Sequence, residues 1–360
     1  MTPDETSTRP KVPERSPLRE VAMLFLRLGL TAFGGPAAPI ALMRDEVVRR
    51  KGWMTDQEFL DAIGATNIIP GPNSTEMAIL LGNRRAGWKG LLTAGSLFIL
   101  PATLIVLALA VVYVRYGSTP QAEWVLYGIK PVMVAIVIVA LLALAPKAAK
   151  DWAQLAIGSA AVALYLVGVN EIALLFGGGA VSVAVHFGRR WAKSVASSAL
   201  LAPVFGALPS LPAATVPGFS LVALFLNFLK IGAVLYGSGY VLLAYVRADF
   251  VDRLGWLTDR QLIDAVAVGQ LTPGPVSTTA TFIGYVVGSW PGAILATVAI
   301  FLPSFAFVAV LDRLLPLARS NRLVGAALDG INAASVGLIA GVAWQLGRGA
   351  VTEVFTYVVL

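Results

Sequence analysis

The sequence predicts an all-α membrane protein, a polytopic helical bundle of about a dozen spans built from two inverted repeats with Pro-Gly-Pro-broken helices. Three observations lead to this prediction: an apolar composition, an internal repeat, and a Pro-Gly-Pro motif in each repeat. Of the 360 residues, 57% are hydrophobic and 13% are charged, and the mean hydropathy is +0.78. Apolar runs such as 91–114 and 294–311 approach or exceed the roughly 20 residues that a helix needs to cross a bilayer.

The residue composition narrows the possible functions. The chain has no cysteine and a single histidine, so its sequence offers no disulfide, thiolate metal site or histidine-rich metal cluster. We therefore predict no resident metal or cofactor, and an intramembrane enzyme is the weakest functional class. The net charge of +7 comes largely from basic residues in short loops between apolar runs. Such residues report orientation in a lipid bilayer and do not indicate a nucleic-acid partner.

The chain contains an internal repeat. Segments of the first half recur in the same order in the second half, at an offset of 203 residues (25 to 228) that becomes 202 (82 to 284) after a one-residue deletion. The matches include polar residues, so chance similarity between apolar helices explains them poorly. The matched pairs are "FLRLGLTAFGG" (25–35) with "FLKIGAVLYGS" (228–238), "GWMTD" (52–56) with "GWLTD" (255–259), "PGP" (70–72) with "PGP" (273–275), and "FILP" (98–101) with "IFLP" (300–303).

The repeat divides the chain into four segments. Residues 1–17 are polar and proline-rich and are predicted to be a disordered cytoplasmic tail. Residues 18–197 form the first repeat half, 198–217 form a linker or weak span, and 218–360 form the second half. The second half stops within an apolar stretch whose first-half counterpart is longer, so we expect a second repeat that is shortened at its C-terminus.

Basic loops predict that the two halves have opposite orientations. The loop "NRRAGWK" (83–89) holds three basic residues, whereas its counterpart (284–292) holds none. One span later the bias reverses, because 114–124 holds one basic residue and 312–322 holds three. Opposite bias in equivalent loops is expected of inverted repeats. The basic segment "RDEVVRRK" (44–51) counts against this arrangement, which places it outside.

Each Pro-Gly-Pro motif predicts a helix break inside the membrane. Proline removes a backbone donor and stops a helix, and Ser, Thr and Asn favour helix starts. Irregular backbone occurs within a membrane only where it is buried in protein or lines a cavity. The N-terminus of a helix, with its free N–H groups, attracts anions. The alternative is that the polar residues only cap the helices. The predicted breaks and binding residues are Pro70, Gly71, Pro72, Asn67, Asn73, Ser74 and Thr75 in the first half, and Pro273, Gly274, Pro275, Gln270, Ser277 and Thr278 in the second.

Two basic residues occupy matching positions in apolar helices. Arg27 lies in "LFLRLGLTAFGGP" and Lys230 in "NFLKIGAVLYGSG". A charge inside a span indicates function, and two cations with two helix N-termini would suit a small dianion. The first of these segments continues into Gly34, Gly35 and Pro36, which we also place at the site. Two alternatives stay open: Arg27 reaches the membrane surface, and the glycines only allow close helix packing.

Glu76 is the one acidic residue that directly follows a Pro-Gly-Pro motif, and its second-half counterpart is Thr279. A carboxyl group buried in a membrane can carry protons, so Glu76 is a candidate for coupling transport to protons. The alternative is a structural ion pair with Arg84 or Arg85. Thr55 and Thr258 are predicted to cap the helices that follow them.

The segment "FGGPAAPIALMRDEVVRRKGWMTDQEFLDAIGATNIIPGPNSTEMAILLGNRRAGWKG" (33–90), with its echo in the second half, closely resembles the chromate ion transporter family, in its long-chain type with two domains. The resemblance covers nearly all of the chain after the tail. It implies a bacterial inner-membrane protein of two homologous halves that exports chromate and confers resistance. The residues that match the family's motifs are Gly34, Gly35, Pro36, Asn67, Pro70, Gly71, Pro72, Asn73, Ser74, Thr75 and Glu76.

The resemblance has departures, and it leaves several functions open. Many family members carry a histidine near Pro39 and another near Leu80, and this chain has neither, which gives Glu76 more weight as a proton carrier. The leading hypothesis is a secondary transporter that exports chromate in competition with sulfate, driven by the proton-motive force or by anion exchange as an antiporter, and we expect it to form a homodimer. The alternatives are a transporter or channel for another oxyanion and an intramembrane enzyme.

Overall fold

The computed structural model describes residues 16–33, 37–117, 119, 137–139, 141–146, 148–191, 218–236, 239–320 and 322–358. This part of the chain is predominantly helical and contains no β-strand. Residues 1–15 of the predicted tail and the whole predicted linker 198–217 lie outside it, as do Gly34, Gly35 and Pro36. Four of the described helices are long and apolar enough to cross a membrane: Asn73–Tyr116, Glu171–Gly188, Val276–Leu311 and Leu323–Gln345. A helical membrane protein is therefore confirmed as the fold class.

The two halves begin with the same order of elements. The first half contains α1 (Pro17–Thr31), α2 (Ala37–Arg44) with a π-helical continuation (Asp45–Arg50), α3 (Asp56–Thr66), α4 (Asn73–Tyr116), α5 (Trp152–Leu166) and α6 (Glu171–Trp191). The second half contains α7 (Leu221–Val234), α8 (Leu242–Val246) with a π-helical continuation (Arg247–Arg253), α9 (Asp259–Leu271), α10 (Thr279–Ser320) and α11 (Arg322–Val358).

Matching capping boxes begin α3 and α9. The Thr55 hydroxyl accepts from the backbone N–H of Glu58, whose carboxylate in turn accepts from the Thr55 backbone N–H at 2.7 Å. Thr258 and Gln261 repeat this exchange in the second half. The Thr55 hydrogen bonds also lower the pKa of Glu58 below its ordinary value. Both capping predictions are confirmed.

Helices α4 and α10 each contain a sharp bend that turns the chain back on itself. In α4 the bend lies at Ala86 and Gly87, and Gly87 has φ +61°. A Cβ on Gly90 would overlap the carbonyl of Gly82, so the parts before and after the bend run antiparallel in backbone contact. The same bend recurs in α10, where Ser289 takes the place of glycine with φ +53°. The strain at that residue shows that the bend is imposed by the packing around it.

The Pro-Gly-Pro motif forms the tip of a hairpin made by α3 and the first part of α4. The Asn73 side chain donates to Asn67 at 2.9 Å near the tip. At the far end, Arg84 Nη1 donates to the Glu58 carbonyl oxygen at 3.4 Å. The two half-helices therefore run side by side in opposite directions, and the chain does not continue in line across a gap. We call Pro70–Pro72 the first tip and its repeat, Pro273–Pro275, the second tip.

The first helix of each half packs against the long helix of the same half. A Cβ on Gly29 of α1 would lie 2.8 Å from the Phe98 carbonyl oxygen of α4. Gly232 of α7 makes the equivalent approach to Ile300 of α10. At the entrance of α1, Arg85 pairs with Glu20 at 2.9 Å. These contacts bring the C-terminal ends of α1 and α7 to the middle of the bundle, where the tips also lie.

Helix α11 packs against α5 and α6 through small residues. A Cβ on Gly330 would overlap the carbonyl of Gly178, and one on Gly337 would overlap the carbonyl of Gly158. Glycine at such contacts allows the backbones of membrane helices to approach closely. Helix α11 also contacts α8 and α10 of the second half.

Candidate functional site

Each tip is hydrogen-bonded to the opposite half of the chain. The Gly71 N–H of the first tip donates to the Leu235 carbonyl, directly after α7, at 2.7 Å. The Gly274 N–H of the second tip donates to the Ala32 carbonyl, directly after α1, at 3.0 Å. Both glycines have positive φ, +147° and +98°. The two halves thus meet at a pair of irregular backbone segments, each completed by a helix end of the other half.

Polar residues begin a helix directly after each tip. Helix α4 starts at Asn73 with Pro72 as its N-cap, and a 3-10 turn, Val276–Thr278, leads into α10. The prediction that these residues open half-helices is confirmed. Their side chains are buried: the exposed fraction is 5% for Ser74 and 0% for Ser277. Their predicted role in binding substrate stays a prediction.

A carboxyl group without a partner lies against the first tip. Glu76 is fully buried, and neither of its carboxyl oxygens has a hydrogen-bond partner among the described residues. A Cβ on Gly71 would overlap this carboxyl group and would lie 2.6 Å from Ser304 Oγ, so both side chains border the same backbone. The ring of Tyr236, next to Leu235, lies near enough to Glu76 for the two groups to interact electrostatically.

The alternative of an ion pair between Glu76 and Arg84 or Arg85 is wrong. Arg85 instead pairs with Glu20, and Arg84 donates to the Glu58 carbonyl. Both arginines lie near the bend of α4, between two and three helical turns from Glu76, and neither makes an ion pair with it. The carboxyl group is therefore left in the interior without a neutralising cation among the described residues.

The second tip has the same backbone but different side chains. Thr279 replaces Glu76, and its hydroxyl donates to the Val276 carbonyl at 2.8 Å. Ala102 replaces Ser304, with its Cβ 2.8 Å from where a Cβ on Gly274 would stand. Two polar atoms in this region have no partner among the described residues, Ser277 Oγ and Gln270 Nε2.

Arg27 and Lys230 each have an acidic neighbour from the π-helical segment of their own half. Arg27 lies 3.3 Å from Glu46, and its side chain is 61% exposed. Lys230 lies 2.5 Å from Asp249, and its side chain is 37% exposed. A bound dianion at either residue would have to compete with these carboxylates. Their binding role stays a prediction.

Sequence reasoning missed Ser304 and Tyr236. Both come from the second half, more than 150 positions from Glu76, so only the folded chain brings them together. The repeat contained a signal that could have found them, because the first-half counterparts are Ala102 and Phe33. A polar residue in one repeat that matches an apolar residue in the other marks a place where the halves differ.

Comparison of the sequence with known proteins identifies the family. The family model described as "Chromate transporter" matches residues 19–183 and 222–360. The chain belongs to the chromate transporter family. Its relatives include a "Probable chromate transport protein" of Synechococcus elongatus, 30% identical over 95% of this chain and 88% of the relative.

Two further members of the chromate transporter family are similar over most of their length. A "Chromate transport protein" of Cupriavidus metallidurans is 33% identical over 94% of this chain and 85% of the relative. One from Pseudomonas aeruginosa is 31% identical over 92% and 82%. No solved structure is significantly similar to the chain.

Proposed function

We propose that this chain is a secondary transporter of a bacterial inner membrane that exports chromate and gives resistance to it. The observation that carries the proposal is the pair of tips, each opening a helix with buried hydroxyl groups at the centre of an apolar bundle. Helix starts attract anions, and broken helices at the interface of two repeats are the usual substrate sites of secondary transporters. Membership of the chromate transporter family supplies the substrate.

Chromate is a tetrahedral dianion with the shape and charge of sulfate, so we expect sulfate to compete for the same site. Arg27 and Lys230 would draw such an anion to the tips from their respective helices. No P-loop motif of the kind that binds nucleotide phosphates occurs in the sequence, which favours a gradient as the energy source. A channel for the same anions is the second candidate, and its flux would follow the gradient without saturating.

We also propose that the two halves are inverted relative to each other. Helix α4 starts at the hairpin of the first half and ends beside the second, where the Tyr113 hydroxyl donates to Asp264 at 2.9 Å and the Tyr113 ring lies 5.0 Å from that of Phe282. Residues Val308 and Leu311 of α10 pack in turn into the core of the first half. Each long helix thus starts in its own half and ends against the other half, so α4 and α10 run antiparallel, which supports opposite orientations of the two halves.

Single cysteines at Arg84 and Ser289 should be labelled from opposite sides of the membrane, and labelling from one side would refute the inversion.

Calorimetry on the purified protein tests the proposed function most directly. Chromate should bind saturably, with sulfate, molybdate and phosphate as competitors. Arg27→Ala and Lys230→Ala should each weaken binding by about tenfold or more, since each removes a charge-assisted contact. Arg44→Ala is the matched control, because Arg44 pairs with Asp56 at the start of α3, away from the tips. Wild-type protein that binds none of the four anions would refute the proposal.

A further inference from the structure

Some buried polar atoms have no hydrogen-bond partner in the part of the chain that the structure describes, and these atoms differ in kind between the two tips. Around the first tip they are Glu76 Oε1 and Oε2, Thr75 Oγ1 and Ser304 Oγ. Around the second tip they are Ser277 Oγ and Gln270 Nε2. An ionised carboxylate can only accept hydrogen bonds, whereas an amide nitrogen can only donate them. Hydroxyl groups, which can do both, occur at each tip, so the difference is that the first tip adds a carboxyl group and the second adds an amide donor.

This difference arises from two exchanges within the repeat. At the first tip the side-chain oxygen of Asn67 accepts from the amide of Asn73. At the second tip the counterpart of Asn73 is Val276, which has no polar side chain, so Gln270 loses this neighbour; its own amide nitrogen also has no partner among the described residues. The second tip also lacks a carboxyl group, since Thr279 stands in place of Glu76.

An oxyanion needs donors and avoids carboxylates. The second tip offers the amide nitrogen of Gln270, the hydroxyl of the fully buried Ser277 and the N-terminal end of α10. A dianion at the first tip would instead lie beside Glu76 with no described cation paired to that carboxyl group. Like charges at such a distance in a low-dielectric interior repel strongly.

We infer that the two tips bind different ligands: the second tip binds the tetrahedral oxyanion, and the first tip binds the coupling proton on Glu76, beside Ser304 and Tyr236. This inference rests on the proposed function and divides its site in two. It adds Ser304 and Tyr236 to the proton site. Within the tips, it restricts the oxyanion contacts to Gln270, Gly274, Ser277 and the start of α10, and it leaves the proposed roles of Arg27 and Lys230 unchanged.

The surroundings of Glu76 contain few other ionisable groups. Tyr236 is the titratable neighbour contributed by the segment after α7, and Lys230 of α7 is paired with Asp249. Helix α10 contributes no charged residue between Thr279 and Leu311. On α1, Arg27 is paired with Glu46, and the acidic residues of α3 lie along that helix: Asp56, Glu58 and Asp61. A proton on Glu76 is thus the direct way to neutralise this carboxyl group.

Sulfate binding measured by calorimetry separates the two tips, because sulfate stays a dianion over the pH range used. The double variant Ser277→Ala, Gln270→Leu should bind sulfate about tenfold or more weakly than wild type, since two donors to a charged group are lost. The same changes at the first tip, Ser74→Ala with Asn67→Leu, should weaken binding less. Ser335→Ala is the control, because this buried serine of α11 also lacks a partner within the described part of the chain and lies outside both tips.

A second variant distinguishes the loss of a binding contact from the loss of folding. Gln270→Glu keeps the size of the side chain and places a carboxyl group at the second tip. It should bind sulfate poorly at alkaline pH and regain affinity as the pH falls, which a misfolded protein could not do. Wild-type affinity of Gln270→Glu for sulfate at every pH would overturn the assignment of Gln270.

The proton site is tested by transport into proteoliposomes. Glu76→Gln and Ser304→Ala should still bind sulfate saturably, whereas the pH dependence of transport is lost in the first and altered in the second. If Glu76→Gln abolishes sulfate binding as fully as the second-tip double variant does, both ligands use the first tip and the inference fails. If the wild-type protein binds no oxyanion at all, the proposed function fails instead, which is a different result.

Discussion

The two tips have nearly the same backbone and different side chains. Each has a central glycine with positive φ whose N–H donates to a carbonyl of the other half, Gly71 to Leu235 and Gly274 to Ala32. Yet the first tip carries a buried carboxyl group, and the second carries a threonine whose hydroxyl is occupied by its own backbone. The repeat therefore supplies two equivalent backbone sites, and a few substitutions decide what each can bind.

The largest expected effect comes from adding a methyl group at the tips. Gly71→Ala forces a Cβ into the Glu76 carboxyl group at a φ that alanine rarely adopts, so transport should be lost and the protein destabilised by about 1–3 kcal/mol from backbone strain alone. Gly274→Ala places its Cβ 2.8 Å from the Ala102 methyl group and at ordinary contact distance from two backbone oxygens, so it should be milder. Transport assays and thermal unfolding measure both effects.

Gly52→Ala is the control for the glycine variants, since Gly52 also has positive φ but open space around it. Gly52→Ala should lower the stability of the protein through backbone strain but should leave transport intact. Wild-type transport by Gly71→Ala would contradict the described position of the Glu76 carboxyl group.

The next effect is on pH dependence, where the halves should differ most clearly. Glu76→Gln removes the titrating group at the first tip, so the pH profile of transport should become flat. Glu58→Gln is the matched control: Glu58 is exposed at the start of α3, and glutamine can keep the capping box as Gln261 does in the second half. Transport is measured over a series of pH values for both variants. An unchanged pH profile in Glu76→Gln would show that Glu76 does not couple transport to protons.

A smaller effect is expected at Tyr236 and its counterpart Phe33. Tyr236→Phe removes a hydroxyl group that interacts with Glu76 electrostatically but without a hydrogen bond, so it should move the midpoint of the pH profile by less than about one pH unit, the equivalent of about 1.4 kcal/mol. Phe33, which follows Ala32 beside the second tip, has no carboxyl group of that tip near it, so Phe33→Tyr should leave the midpoint in place. Equal shifts in both variants would contradict a proton site confined to the first tip.

The smallest effect should be the same in both halves. Thr55→Ala and Thr258→Ala each remove a helix cap and should cost about 1 kcal/mol, as measured by thermal unfolding, with serine variants retaining stability. Because hydrogen bonds lower the pKa of Glu58 in the folded protein, its contribution is present above the ordinary pKa of a carboxyl group and is lost as the pH falls below it. Gln261 does not titrate, so the second cap should show no such loss. Unequal costs at neutral pH would mean that the halves also differ away from the tips.

Local rules predicted the parts of the fold that depend on neighbouring residues. The caps at Thr55 and Thr258 and the helix start at Asn73 follow from side chains within a few positions. The direction of the chain after a break does not, because a Pro-Gly-Pro segment can continue in line or turn back, and packing decides between them. The fold-back of α4 onto α3 could therefore not be read from the sequence.

The candidate site was predicted in part for the same reason. Glu76 stood out because an acid follows a Pro-Gly-Pro motif, but its neighbours Ser304 and Tyr236 are distant in sequence. The pairing of Arg27 with Glu46 was also missed, although the match of Lys230 with Asp249 at the same spacing could have suggested it. Comparing the two repeats position by position recovers more of the site than scanning for polar residues does.

The crossed hydrogen bonds at the tips have a consequence for assembly. Neither half contains the carbonyl group that receives the N–H of its own tip: Gly71 depends on Leu235, and Gly274 depends on Ala32. A chain divided after Trp191 would give two fragments, each with a tip N–H group that has no acceptor within its own fragment. The two fragments should therefore associate when they are produced together in one cell. By the same reasoning, an ancestor that contained one repeat would have formed this pair of tips as a dimer of two chains. Gene duplication and fusion would then have joined the two repeats in one chain.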